Sequence, residues 1–173
     1  DQRLGGSNTA SLARLGGWWN GVAVGDFDGD GRMDIVASNW GSNSKYEFGR
    51  HSEHPLTLYY GDWDEDGVIE LLEAYYDTGM KKVVPWRSLK WVAQGMPWVR
   101  AKYPTHKAYG DAGIAEILSE RMQQTKVLEA AWLETTVLLN RGDKFQAVIL
   151  PGEAQFAPAF GVSVGDMDGD GKE

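Results

Sequence analysis

The sequence contains no cysteine. That excludes a disulfide framework, a thiol nucleophile and a thiolate metal site, and it fits either side of a membrane. Long apolar runs are missing too: none approaches the roughly 20 residues of a membrane span. No signal-peptide pattern is visible, since Asp1 opens a polar segment. The expectation is that any such segment was removed or was never there. There is no Gly-x-Ser-x-Gly, no His-Glu-x-x-His and no phosphate-cradling loop, so nothing in the sequence argues for an enzyme. Histidine is scarce, at three residues.

What is present looks globular. Hydrophobic residues make up 42% and charged residues 24% of the 173, which is ordinary usage and excludes wholesale disorder. Glycine reaches 22 and tryptophan 8, and the formal net charge is −8. That charge is concentrated. Windows 26–34, 62–70 and 166–173 hold 13 of the 25 acids and only two bases, Arg32 and Lys172. The remainder carries 15 bases against 12 acids, so the acidity belongs to three loops.

The windows read DFDGDGRMD from Asp26, DWDEDGVIE from Asp62 and DMDGDGKE from Asp166. Each gives Asp-x-Asp-x-Asp-Gly, and the first two add Asp34 or Glu70 at position nine. Alternating carboxylates on a tight loop repel one another unless a cation sits between them. Calcium suits the pattern, because it takes six to eight oxygens in irregular geometry, whereas magnesium wants a stricter octahedron. The absence of His and Cys from the loops argues against zinc or copper. Gly31, Gly67 and Gly171 at position six allow a sharp turn through positive φ. The position-seven carbonyls of Arg32, Val68 and Lys172 can then point inward, with no need for the Arg32 and Lys172 side chains. The plain alternative is an Asp-Gly turn with solvated carboxylates; threefold recurrence favours metal.

An EF-hand fits the second loop by formula, with Glu73 at position twelve, but Ala37 occupies that place in the first. An EF-hand also needs flanking helices. Here the flanks are Gly21-Val-Ala-Val-Gly, Ile35-Val-Ala and Leu56-Thr-Leu-Tyr-Tyr-Gly, which read as strands. The loops are therefore expected to be strand–loop–strand calcium sites.

Gly21-Val-Ala-Val-Gly-Asp-Phe-Asp-Gly-Asp-Gly recurs as Gly161-Val-Ser-Val-Gly-Asp-Met-Asp-Gly-Asp-Gly with two substitutions. Repeats of this kind suggest propeller blades or a β-solenoid. The pattern resembles the FG-GAP/VCBS repeat family, the calcium-loop β-propellers of integrin α-chain heads and many secreted bacterial proteins. Phe160-Gly161 supplies the "FG". Within that family the chain resembles bacterial cartilage-acidic-protein-like, ASPIC/UnbV-associated VCBS proteins. The matching stretches are Gly17-Trp-Trp-Asn20, Ser42-Asn-Ser-Lys-Tyr46 and Glu153-Ala-Gln-Phe156. The resemblance implies that positions one, three, five and nine ligate calcium through side chains and position seven through its carbonyl. The ligands would be Asp26, Asp28, Asp30, Arg32 and Asp34; Asp62, Asp64, Asp66, Val68 and Glu70; and Asp166, Asp168, Asp170 and Lys172. Two sites are then complete. The third departs from the pattern, with Glu173 at position eight and no residue at position nine, and is expected to be incomplete in this chain.

Loops two and three are separated by 95 residues, against 27 between the first two. Short helices are expected at Ser88–Gln94 and Pro97–Lys102. A longer one is expected from Asp111 as N-cap, burying Ile114, Ile117, Leu118 and Met122. Strands should return at Thr135–Leu139 and Phe145–Leu150. Segment 81–126 carries nine bases and three acids. It reads either as a solvated helix surface or, more sharply, as a patch for acidic glycans. Nucleic acid is disfavoured, because no recognised module is present and the chain is acidic. Arg141-Gly142-Asp143 reads as a hairpin turn. His51 and His54 read as a solvated loop rather than a metal pair, and most tryptophans as packing, with exposure of two or three on one face favouring glycan stacking.

The expected fold is mainly β: a partial β-propeller of two to three blades with a helical insertion. The domains are 1–80 with loops one and two, 81–130 as a basic helical insertion, and 131–173 as a returning blade ending inside loop three. The expected function is a calcium-binding, non-catalytic propeller segment of a secreted, cell-surface or periplasmic protein, with calcium structural. Its partners would be a protein or glycan, or further copies through open blade edges, with no nucleic acid. Two alternatives stand beside it, a self-assembling filament or surface-layer subunit and a fragment of a calcium-propeller polysaccharide-active enzyme. Propellers take four to eight blades, so 173 residues also read as a segment of something larger.

Overall fold

The computed structural model describes residues 15–49, 53–167 and 169. The chain divides into two compact units. One runs through Glu47 and resumes at Ala130; the other is Phe48–Glu129.

The first unit holds the strands β1 (Gly21–Gly25), β2 (Asp34–Ser38), β7 (Thr136–Asn140) and β8 (Phe145–Ile149). They form one sheet in the order β1-β2-β7-β8, each neighbour antiparallel. Glycines bound β1, and valine, isoleucine and threonine recur in the strands, as β propensity favours. Along β2 burial alternates, so that Asp34, Val36 and Ser38 are buried. The interior is unusually polar. Buried Asn39 accepts the Trp18 and Trp40 amides at 3.1 and 2.8 Å and donates to the Trp132 carbonyl at 3.0 Å. Buried Gln155 accepts the Thr135 amide and donates to the Thr135 and Leu150 carbonyls at 2.9 and 3.1 Å. Each partnered group avoids the desolvation cost of a buried orphan.

The second unit contains β3 (Leu56–Gly61), β4 (Glu70–Asp77), β5 (Lys82–Pro85) and β6 (Lys126–Ala130), in spatial order β5-β4-β3-β6. Three consecutive strands form a meander, and the fourth returns after a long connection to lie beside the first. That connection carries α1 (Leu89–Gly95), α2 (Pro97–Lys102), α3 (His106–Gly110) and α4 (Ile114–Leu118). Its core is apolar: Trp63, Leu72, Leu89, Val92, Met96, Val99, Tyr109, Ile114, Ile117 and Leu118 cluster together.

The first two expected helices are found within a residue of their expected bounds. The long helix from Asp111 is not. Thr105 instead caps α3 by accepting the Ala108 amide at 3.1 Å, and Asp111 ends that helix. The Glu116 carboxylate then takes the Gly113 amide at 2.5 Å and starts α4. Ser119, at φ 49°, stops α4 after five residues, and a 3₁₀ stretch, Ser119–Gln124, follows. Ile114, Ile117 and Leu118 are buried as expected, while Met122 is exposed.

The fold is mainly β, with two four-stranded sheets and few helices, and four strands is the complement of one propeller blade. Residues 161–165, which repeat the β1 sequence, form no strand.

Candidate metal centre

Loop one joins β1 to β2, and loop two joins β3 to β4. Both hairpins close in the same register: Gly25 pairs with Asp34 and Gly61 with Glu70, so the residue before position one faces position nine. The strand flanks exclude the EF-hand alternative. Glu73 lies within β4 and pairs with Arg87 at 3.1 Å.

Inside the loops the same bonds recur. In loop one the Asp26 carboxylate accepts the amides of Asp30 and Gly31 at 3.0 and 2.8 Å, and Asp30 accepts the Arg32 amide at 2.9 Å. In loop two Asp62 accepts the amides of Asp66 and Gly67 at 3.1 and 3.0 Å, and Asp66 accepts that of Val68 at 2.8 Å. Position nine accepts the amide of position two: Phe27 to Asp34 at 3.1 Å, Trp63 to Glu70 at 2.6 Å. Position six needs glycine because φ is +80° at Gly31 and +87° at Gly67. Burial follows one profile as well: position one is half-buried, three and five are exposed, and nine is buried.

These bonds turn the carboxylates toward a common point. Asp62, Asp64, Asp66 and Glu70 each offer an oxygen within 4.8 Å of the others, as do Asp26, Asp28 and Asp34. Such all-oxygen sets could hold a hard metal ion. Asp30 stands outside the first set. It is held by the Arg32 guanidinium, which also donates to the Asn140 carbonyl at 2.8 Å. The Arg32 side chain thus ties position five of loop one to the β7–β8 turn.

Electrostatics separate the loops. Burial pushes the Glu70 carboxyl up, its bond from Trp63 opposes this, and Asp64, Asp62 and Asp66 raise it further. Asp28 moves the other way, held below its ordinary value chiefly by a hydrogen bond from Arg141.

Of the third loop, Asp166 accepts the Gly169 amide at 2.6 Å. Asp168, Asp170 and Lys172 lie outside the described residues, as does His51. His54 stacks on Tyr76 at 3.7 Å. Of the eight tryptophans only Trp91 is exposed, so packing accounts for most of them. The basic segment is largely engaged. Lys102 caps carbonyls of Glu116 and Ile117, Lys82 and Lys107 pair with Glu116 and Asp111, and Arg121 lies over Trp98 and donates to the Trp63 carbonyl.

The three stretches carrying the subfamily resemblance meet in the first unit. Trp18 packs edge-on against Tyr46 at 4.7 Å, and Asn43 bonds the Gln155 and Phe156 carbonyls at 3.2 and 2.9 Å.

Sequence reasoning missed one participant, the turn between β7 and β8. Its Asn140 amide donates to Asp34 at 2.7 Å, and Arg141 reaches Asp28 and Asp30. The only signal in the sequence was the hairpin chemistry of Asn140-Arg-Gly-Asp, which says nothing of what lies beside it.

A family model described as an FG-GAP-like repeat matches residues 1–37, a span that includes β1, loop one and most of β2. No curated protein and no solved structure matches the chain. FG-GAP repeats are generally non-catalytic.

Proposed function

We propose that loops one and two bind calcium, and that the chain is a non-catalytic propeller segment held in shape by that metal. The ligands would be Asp26, Asp28, Asp30 and Asp34 with the Arg32 carbonyl, and Asp62, Asp64, Asp66 and Glu70 with the Val68 carbonyl. One observation carries the reading: two loops in separate units build the same hydrogen-bonded nest and turn their acids inward. The same backbone bonds that fix the turn leave clustered carboxylates whose repulsion a divalent cation would relieve. Asp166, Asp168, Asp170 and Lys172 begin a third site of the same type.

Calcium is then structural, and the protein works outside the cytoplasm, where calcium is plentiful. Its role there is adhesion, binding of a protein or glycan, or assembly. The Trp18, Asn43 and Gln155 stretches, on whose sequence the resemblance to the cartilage-acidic-protein-like VCBS group rests, pack together in the first unit. A second reading, self-assembly, is favoured by β1. This strand lies at a sheet edge with Val22 and Val24 exposed, a surface that a neighbouring blade or copy would cover.

The test is thermal unfolding with and without chelator. A site with free calcium at 100 times its dissociation constant adds about 2.7 kcal/mol. The midpoint should therefore fall by roughly 10 °C or more when calcium is removed. An unchanged midpoint would sink the calcium reading.

A further inference from the structure

The nests have matching backbones, but their charge surroundings differ. In the first unit β7 lies beside β2, which sets the β7–β8 turn next to loop one. From that turn the Arg141 guanidinium bonds Asp28 at position three and lies 3.3 Å from Asp30 at position five. It is anchored from behind by Gln146, whose amide oxygen accepts from Arg141 Nε at 2.9 Å. Gly142, at φ +88°, donates to the Asn140 side chain at 2.9 Å and fixes the turn that presents the arginine. In loop two no ion pair reaches Asp62, Asp64, Asp66 or Glu70 among the described residues.

We propose that Arg141 is the resident counter-ion of loop one. It neutralises Asp28 and Asp30 in the metal-free chain, and a divalent cation must displace it from them. This rests on the reading of both loops as calcium sites. Arg141 Nη1 reaches one carboxylate oxygen of Asp28 and one of Asp30, so the guanidinium supplies at positions three and five the positive charge that a metal would otherwise bring. Asp30, which Arg32 and Arg141 hold, is the acid that stands outside the converged set. Loop two has no such competitor and fills first. Loop one fills at higher calcium, and its filling frees Arg141.

The test uses the full chain with Asp64→Asn and Glu70→Gln, which silences loop two, with and without Arg141→Gln. Calcium binding is read by titration calorimetry. Removing Arg141 should tighten loop one about tenfold, the scale of two exposed ion pairs that need no longer be broken. Unchanged or weaker binding would overturn the proposal. A second arm melts the single variant Arg141→Gln in chelator and in saturating calcium, with Arg141→Lys as the conservative control. The counter-ion role predicts a lower midpoint than wild type in chelator, no deficit in calcium, and partial rescue by lysine. An equal deficit in both conditions would make Arg141 a mere turn-former and overturn it. If neither loop takes up calcium, the calcium reading fails and displacement with it. The chelator arm still decides the counter-ion role alone, and an unchanged midpoint there would remove that too.

Discussion

In loop one the exposed carboxylates meet Arg141 and Arg32; in loop two Asp64 and Asp66 meet no ion pair among the described residues. The units that carry the loops differ in a parallel way. The first keeps Asn39, Thr136 and Gln155 buried and satisfies them by hydrogen bonds. The second packs aliphatic side chains from short helices against its sheet. One nine-residue nest therefore works in two settings, because its geometry comes from its own backbone bonds and from the hairpin register. What the setting changes is the charge left for a cation to neutralise.

The largest effects should separate the two cores. Ile117→Ala removes a fully buried side chain from the second unit and should cost about 3–4 kcal/mol in denaturant unfolding. Asn39→Ala removes three hydrogen bonds from the first unit and should cost about 2–3 kcal/mol, while Asn39→Asp, which loses the donor to Trp132, should cost nearly as much. Amide exchange assigns each loss to its unit. A larger deficit for Asn39→Ala than for Ile117→Ala would break the contrast between a bonded and a packed core.

A smaller effect probes the nest itself. Position four has positive φ in both loops, +73° at Gly29 and +61° at Glu65. Glu65 bears a steric cost of about 1 kcal/mol that Gly29 does not. Glu65→Gly should stabilise the second unit by about 0.5 kcal/mol once the added chain entropy is counted, and Gly29→Glu should destabilise the first. Chemical denaturation of both variants checks this, and a destabilising Glu65→Gly or a stabilising Gly29→Glu would mean that position four is not equivalent in the two loops.

The smallest is confined to alkali. Burial pushes the Tyr109 phenol well above its ordinary value of 10.0. The unfolded chain then loses this proton before the folded one does, so the contribution is whole below about pH 10 and is lost as pH rises beyond it. The second unit should loosen there, and Tyr109→Phe should lessen the dependence, which Tyr59 and Tyr103 share because burial pushes their phenols up as well. A tyrosinate signal at pH 10 in the folded chain that Tyr109→Phe removes would contradict it.

Much of the site was legible in the sequence, because alternating acids, the position-six glycine and the flanking valines are local signals. Helices α1 and α2 were legible for the same reason: Pro97 sets a first turn, and the apolar spacing is short. The region after Asp111 was not. Aspartate favours a helix N-terminus, yet Asp111 falls at the end of α3, because the Thr105 and Glu116 bonds fix where α3 and α4 begin. Strand β6 was hidden too, since Val127 and Leu128 are exposed and burial does not pattern it. The part played by Arg141 was illegible in principle. It arises from β2 and β7 becoming neighbours across about a hundred residues, and no local spacing encodes that.

The central claim is that both nests take calcium, unequally. Calcium titration of the metal-free chain, followed by the amide resonances of Gly31 and Gly67, tests it most directly. Each of these amides bonds the position-one carboxylate of its own loop. Both should shift, Gly67 at lower calcium and Gly31 at higher calcium. Two amides unmoved at millimolar calcium would contradict calcium binding, and Gly31 moving first would contradict the order that Arg141 imposes.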